Sequence, residues 1–233
     1  MTSARSGRLP QEGYWVIEGN IGAGKTTLSR ALAQDLEAEV LLEAFAENPF
    51  LPLFYSDPTR YALMVELYFM TERHQQLLRY EQSGRLFGQR TVADFYFDKT
   101  WLFAQQTLRG NERELFRRIY ETMYARLPLP DKYVYLHRPI EVLLDNIRGR
   151  GRPYEQQIEA DYLLRLQNAY VAYLSSERRF PVAVVQLGDL DMLDDRAAYR
   201  QLLDLVVNQS DWSGLQVIDL AGQAGSGVLQ LDL

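Results

Sequence analysis

The chain has 233 residues and a mass of 27.0 kDa, with 47% hydrophobic, 24% charged and 12% aromatic residues. That composition supplies enough apolar surface for one large folded domain and excludes fibrous and disordered classes. Zero cysteines exclude a disulfide framework, a thiol nucleophile and a cysteine-held zinc ion and fit a reducing, cytoplasmic setting, while a formal net charge of −6 argues against sequence-independent binding of nucleic acid.

The first twelve residues carry Arg5 and Arg8 but no apolar stretch of the secretory kind, and they are read as a flexible N-terminus. No segment approaches eighteen uninterrupted apolar residues, so no membrane association is expected. Tyr14–Glu18 reads as the first buried strand, followed by a glycine turn and a helix over Lys25–Leu36. A strand over Glu39–Phe45, a long helix over Thr59–Tyr80 and a strand over Arg90–Phe95 come next. Asp98–Leu127 reads as two helices broken near Gly110-Asn111. The strand Lys132–Leu136, the helices Ile140–Ile147 and Gln157–Leu174, the strand Val182–Leu187 and the helix Arg196–Val206 complete the set. Strands alternating with helices predict an α/β fold, a parallel sheet of five strands covered on both faces. Residues 13–207 are read as one domain. Residues 208–233, with four glycines and no Lys or Arg, are an extension that reads equally as an added strand or a loose tail.

The strongest local signal follows the first strand. Gly19-Asn20-Ile21-Gly22-Ala23-Gly24-Lys25-Thr26-Thr27 satisfies the spacing Gly-x4-Gly-Lys-Thr. Such a P-loop turns backbone N–H groups around phosphate oxygens, places the positive end of a helix beside them, brings Lys25 to the terminal phosphates and offers the Thr26 hydroxyl to Mg²⁺. A nucleoside triphosphate with Mg²⁺ is therefore the expected ligand, which leaves GTPases, ATPase motors, nucleotide kinases and small-molecule kinases open. The guanine-reading Asn-Lys-x-Asp of GTPases is absent and the length leaves little room for a motor, which favours phosphoryl transfer to a small acceptor.

Four blocks in one order carry a resemblance to a known family. They are Glu18–Thr27, then Glu43 with Asn48-Pro49-Phe50-Leu51 and Phe54-Tyr55, then Asp94-Phe95 with Leu102-Phe103-Ala104, and last Arg148–Glu155 with Tyr162-Leu163. From Tyr14 to Val207 the chain resembles the deoxyribonucleoside kinases, in particular the bacterial deoxyadenosine and deoxyguanosine kinase branch. The resemblance implies a P-loop kinase fold with an arginine-rich lid. It also implies transfer of the ATP γ-phosphate to the 5′-hydroxyl of a deoxynucleoside in nucleotide salvage, usually by a homodimer.

Within that resemblance Glu43, at the carboxyl edge of the sheet, matches the carboxylate that orients and deprotonates the 5′-hydroxyl. Asp94 ends a strand, where an acid holds the metal through water. The chain departs from the Glu-Arg-Ser of animal members, since Val92-Ala93-Asp94-Phe95 stands there and nothing in the sequence replaces the arginine at Ala93. Arg148, Arg150 and Arg152 match the lid, whose guanidiniums meet charge on the transferring phosphoryl group. Glu155 and Tyr55 match the residues that hold the sugar 3′-hydroxyl, and Arg73 an arginine that meets the base. Phe103 is either the aromatic that stacks on the base or an ordinary core residue. Many relatives have glutamine where this chain has Glu66. An ionised glutamate offers acceptors only, which suits the adjacent donors of guanine; the alternative is a pair between Glu66 and Arg73 that shapes the pocket indirectly. Asp189 and Asp191 fall near where the family meets the ATP base. His74 and His137 have no partner cluster and read as structural. Two rival readings stay open: a thymidylate-type monophosphate kinase, which usually carries Asp-Arg-Tyr where this chain has Asp94-Phe95-Tyr96, and a regulatory module that binds nucleotide without turnover.

Overall fold

The computed structural model describes residues 12–44, 48–83, 89–125, 127–177, 179–208 and 214–222. The first eleven residues of the expected flexible N-terminus lie outside them. Among the described residues, the strands β1 (Gly13–Gly19), β2 (Glu39–Leu41), β3 (Arg90–Ala93), β4 (Lys132–His137), β5 (Val182–Gln186) and β6 (Leu215–Asp219) form one sheet. It is parallel throughout, in the order β2-β3-β1-β4-β5-β6. The expected count of five strands is therefore corrected to six. The alternating Leu215, Val217 and Ile218 pair with β5 in the register Val182↔Leu215 to Gln186↔Asp219, so part of the extension joins the sheet.

Helices α1 (Lys25–Asp35), α2 (Leu51–Ser56), α3 (Pro58–Ser83), α4 (Asp98–Thr107), α5 (Gly110–Tyr124), α6 (Ile140–Arg150), α7 (Ala160–Ser176) and α8 (Arg196–Asn208) cover both faces, with a 3₁₀ turn at Pro153–Glu155. The period of two along β1 divides the core. Trp15 and Ile17 pack with Leu32 of α1, Leu143 of α6 and Leu202 of α8, whereas Tyr14 and Val16 face Met70 of α3, Leu102 of α4 and Tyr170 of α7. The break between α4 and α5 comes where expected, as Leu108 and Arg109 turn extended and Gly110 takes φ +51°.

Two departures from expectation matter for the site. The short helix α2 carries no clear periodic signal, yet it delivers Tyr55. Strand β2 ends at Leu41, because its ladder with β3 stops at the pair Leu41↔Ala93, and the last residue of the expected strand, Phe45, lies outside the described residues. Beyond that pair the Asp94 N–H still bonds the Leu41 carbonyl at 3.1 Å, and Glu43 leaves the strand into the loop.

Candidate active site

Strand β1 ends in the phosphate turn. Gly22 sits at φ +84°, and a Cβ there would lie 2.6 Å from the Leu143 carbonyl oxygen, so only glycine fits. The Asn20 amide donates to the Leu163 carbonyl at 2.8 Å and accepts from the Ile21 N–H at 2.8 Å, while the Asn146 amide donates to the Gly22 carbonyl at 2.8 Å. Lys25 donates to the carbonyls of Gly19 and Asn20 at 2.8 and 2.9 Å, and burial together with nearby Lys99 lowers its pKa to about 8. Under the turn lies Glu18, fully buried, which accepts from the N–H groups of Gly19 and Tyr96 at 3.0 and 3.2 Å and from the Tyr170 hydroxyl at 3.2 Å. Burial raises its pKa.

Two cavities flank this turn. One, of about 530 Å³, runs between the segment Gly22–Leu28 and the loop after β5, where Asp189 and Asp191 lie. The other, of about 110 Å³, is lined by Glu43, Tyr55, Glu66, Arg73, Asp94, Phe103 and Glu155, residues drawn from α2, α3, α4, the strand ends and the 3₁₀ turn. Gly22, Lys25, Thr26, Arg150 and Arg152 border both. The sequence-expected site residues are thus brought together around the turn that Gly19 and Asn20 open, and Arg148 alone stands apart from both turn and cavities. Arg148 is exposed on α6, pairs with Asp145 at 3.1 Å and borders neither cavity. Spacing along α6 explains this, since residues 148 and 150 project about 200° apart around a helix.

Glu43 is held by two cations. Arg73 meets Oε1 through Nε at 2.7 Å and Nη2 at 2.6 Å, and Lys99 meets Oε2 at 2.6 Å. Burial pushes the Glu43 carboxyl up, but Lys99 and Arg73 outweigh it and bring the pKa down to about 2. Arg73 also donates to the Thr100 hydroxyl at 2.9 Å, so its guanidinium is directed to Glu43 and α4 and not to Glu66. Lys99 is the residue that sequence reasoning missed, although it supplies a cation beside Glu43 where Ala93 has none. Its signal was the Asp98-Lys99-Thr100 triplet that opens a helix just after the strand end at Asp94.

Asp94 follows β3 and accepts from the Glu43 N–H at 2.7 Å and from the Thr26 hydroxyl. Burial, and after it the nearby Glu43, raises its pKa. This alcohol and carboxylate fit a Mg²⁺ ion, a hard cation that keeps several waters and takes phosphate oxygens. Among the described residues no cluster of three or more His, Cys, Asp or Glu forms a protein cage of its own.

Glu66, 3% exposed, accepts from the Thr107 hydroxyl at 2.9 Å, and burial raises its pKa to about 7. Phe103 lines the cavity under the Lys99 ammonium, 5.5 Å from the ring centre, and packs edge-on against Tyr170. Glu155, 5% exposed, is held by Arg150 and by Arg152, the latter at 3.0 Å. Tyr55 stacks on Tyr154 at 5.9 Å, and burial and then Glu155 raise its pKa. His74 packs against the Phe97 ring at 5.9 Å, and burial lowers the pKa of His137.

Comparison with known proteins agrees with this geometry. A family model described as deoxynucleoside kinase matches residues 15–210. A deoxyguanosine kinase of Bacillus subtilis is 33% identical over 200 residues, covering 85% of this chain and 92% of its own. A deoxyadenosine/deoxycytidine kinase of the same organism is 27% identical over 208 residues, covering 86% and 94%. The structure of a deoxyadenosine kinase from M. mycoides with bound dATP superposes with a TM-score of 0.72 at 23% identity, covering 83% of this chain and 100% of that one. A P-loop motif, a parallel sheet and a second cavity lined by paired carboxylates and cations converge with these matches: the chain belongs to the deoxynucleoside kinase family and is an ATP-dependent kinase.

Proposed function

We propose that the protein transfers the γ-phosphate of ATP to the 5′-hydroxyl of purine deoxynucleosides, deoxyguanosine beside deoxyadenosine. One observation carries this reading: two cavities meet at Lys25 and Thr26, and Glu43 stands in the smaller of them. The larger cavity takes the donor and the smaller the acceptor. The hydroxyl oxygen forms its bond to the γ-phosphorus as the bond to the β,γ-bridging oxygen breaks, ADP leaves, and the hydroxyl proton passes to Glu43. A carboxylate with a pKa near 2 is a weak base, so Glu43 acts mainly by orienting the hydroxyl and takes its proton late. That suits a loose transition state, in which positioning outweighs covalent assistance. Lys99 and Arg73 position Glu43. Arg150 and Arg152, which border both cavities, supply planar donors to the equatorial oxygens. Thr26 and Asp94 would hold Mg²⁺, which would supply charge neutralisation on the phosphates. Glu155 and Tyr55 face the sugar, and Phe103 the base.

The purine assignment rests on Glu66, whose ionised form accepts from guanine N1–H and the exocyclic amine. A relative named deoxyguanosine kinase at 33% identity supports it. On the family resemblance the reading extends to a cytoplasmic homodimer in nucleotide salvage, with residues 13–207 as the catalytic unit. The test offers ATP with four deoxynucleosides and their monophosphates. Phosphorylation of deoxyguanosine and deoxyadenosine, lost in Lys25→Ala, is the expected result. Consumption of monophosphates alone assigns a monophosphate kinase instead, and ATP binding without turnover assigns a regulatory module.

A further inference from the structure

Arg138 follows β4 directly and is 7% exposed. Among the described residues its guanidinium makes three hydrogen bonds, all to backbone carbonyls. Nε donates to Ala23 at 3.2 Å, Nη1 to Gly188 at 3.1 Å and Nη2 to Leu190 at 2.7 Å. The first acceptor stands in the phosphate turn between Gly22 and Gly24. The other two belong to the loop after β5, across the 530 Å³ cavity. One planar fork therefore ties together the two walls of the slot, a task that the compact ammonium of a lysine cannot reproduce. Asp189 and Asp191 of the same loop act on the charge electrostatically, while its direct bonds go to the loop backbone. Asn146 donates to the neighbouring Gly22 carbonyl, so the phosphate side of the slot has a tether of its own. What Arg138 sets is the position of the Gly188–Leu193 wall.

We propose that Arg138 is a positioning residue that determines which donor base is accepted, by fixing the spacing between the phosphate turn and the Gly188–Leu193 loop. This rests on the reading that the larger cavity takes the donor nucleotide. A base entering the slot meets loop atoms whose place depends on this one side chain. A loop released from it admits other bases and holds adenine less well.

The experiment measures kcat/KM for ATP, GTP and UTP, and the deoxynucleoside KM, in the wild type, R138K and R138Q, with Tm recorded for each. R138Q is expected to raise the ATP KM at least tenfold and to lower the ATP:UTP ratio of kcat/KM at least fivefold. The deoxynucleoside KM should stay within twofold, and R138K should fall between. An unchanged donor ratio overturns the proposal, whether or not Tm falls, because a merely structural staple would lower Tm without altering discrimination. Equal rises in both KM values overturn it as well. If R138Q does not fold, the donor ratio of R138K decides alone. A wild-type protein that binds no ATP refutes the donor-site reading itself, and this inference with it.

Discussion

Glu66→Gln tests the acceptor pocket most sharply, because the change is nearly isosteric and keeps an oxygen for the Thr107 hydroxyl. Burial raises the Glu66 pKa from its ordinary 4.5 to about 7, against the opposing pull of Thr107, Arg73 and Lys99 and with support from Glu43. Above that pH the ionised carboxylate offers guanine two acceptors. Below it the protonated group presents one donor and one acceptor, as a glutamine would, and matches adenine. The ratio of ionised to protonated Glu66 changes about tenfold per pH unit, so between pH 6 and pH 8 the deoxyguanosine:deoxyadenosine ratio of kcat/KM should rise between about tenfold and about a hundredfold. The lower figure applies if guanine also tolerates the protonated form through its O6. Glu66→Gln should flatten the dependence at the low-pH value. Stability gives a second readout of opposite sign. A carboxyl with a raised folded pKa contributes stability that is complete below pH 4.5 and is lost as pH rises through about 7, close to 3 kcal/mol at about 1.4 kcal/mol per pH unit. The variant should therefore gain Tm over the wild type at pH 8 and gain little at pH 5. A substrate ratio that does not move with pH in the wild type, or that moves equally in Glu66→Gln, refutes the reasoning.

Other perturbations follow from the same geometry. Glu43→Gln should lower kcat by about 10²- to 10⁴-fold with little change in the ATP KM. It should also cost about 3 kcal/mol or more in thermal unfolding, because Arg73 and Lys99 would face a neutral amide in a buried site. Lys99→Met leaves Glu43 with Arg73 alone. A fall in kcat of about 10- to 100-fold, partly restored in Lys99→Arg, is expected from steady-state assays on the scale of one lost charge-assisted bond. Gly22→Ala meets both a positive φ and the Leu143 carbonyl at 2.6 Å. ATP titration should show binding at least tenfold weaker, and unfolding should report a loss of about 1–3 kcal/mol.

Much of this was legible in the sequence. The phosphate turn is local: strand, glycines, Lys25 and Thr26 lie in one stretch, and their spacing carries the chemistry. Glu43, Asp94, Glu66 and Glu155 could be placed on strand ends and helices, and the fold gathers them. The resting partnerships were not legible, because they depend on long-range geometry. Lys99 finds Glu43 across 56 positions, and Arg138 reaches Ala23 across 115. In sequence Arg138 reads as one more arginine after a strand, with nothing to separate it from a solvated side chain. Arg148 fails the other way: its glycine-interleaved company suggested a shared task, and two residues of helical rotation send it to solvent. The sixth strand was ambiguous because five alternating residues among glycines support either outcome.

That strand has a consequence for how the enzyme can be shortened. The family match stops at residue 210, before β6 begins at Leu215. Yet β6 covers the outer edge of β5, the Leu220 N–H bonds the Gln186 carbonyl at 3.0 Å, and a Cβ on Gly188 would come within 2.9 Å of Ala221. Gly188 is also where Arg138 holds one wall of the larger cleft. A protein trimmed to the recognisable family region would thus lose the buttress behind one wall of that cleft, and its nucleotide preferences would no longer report on the intact molecule.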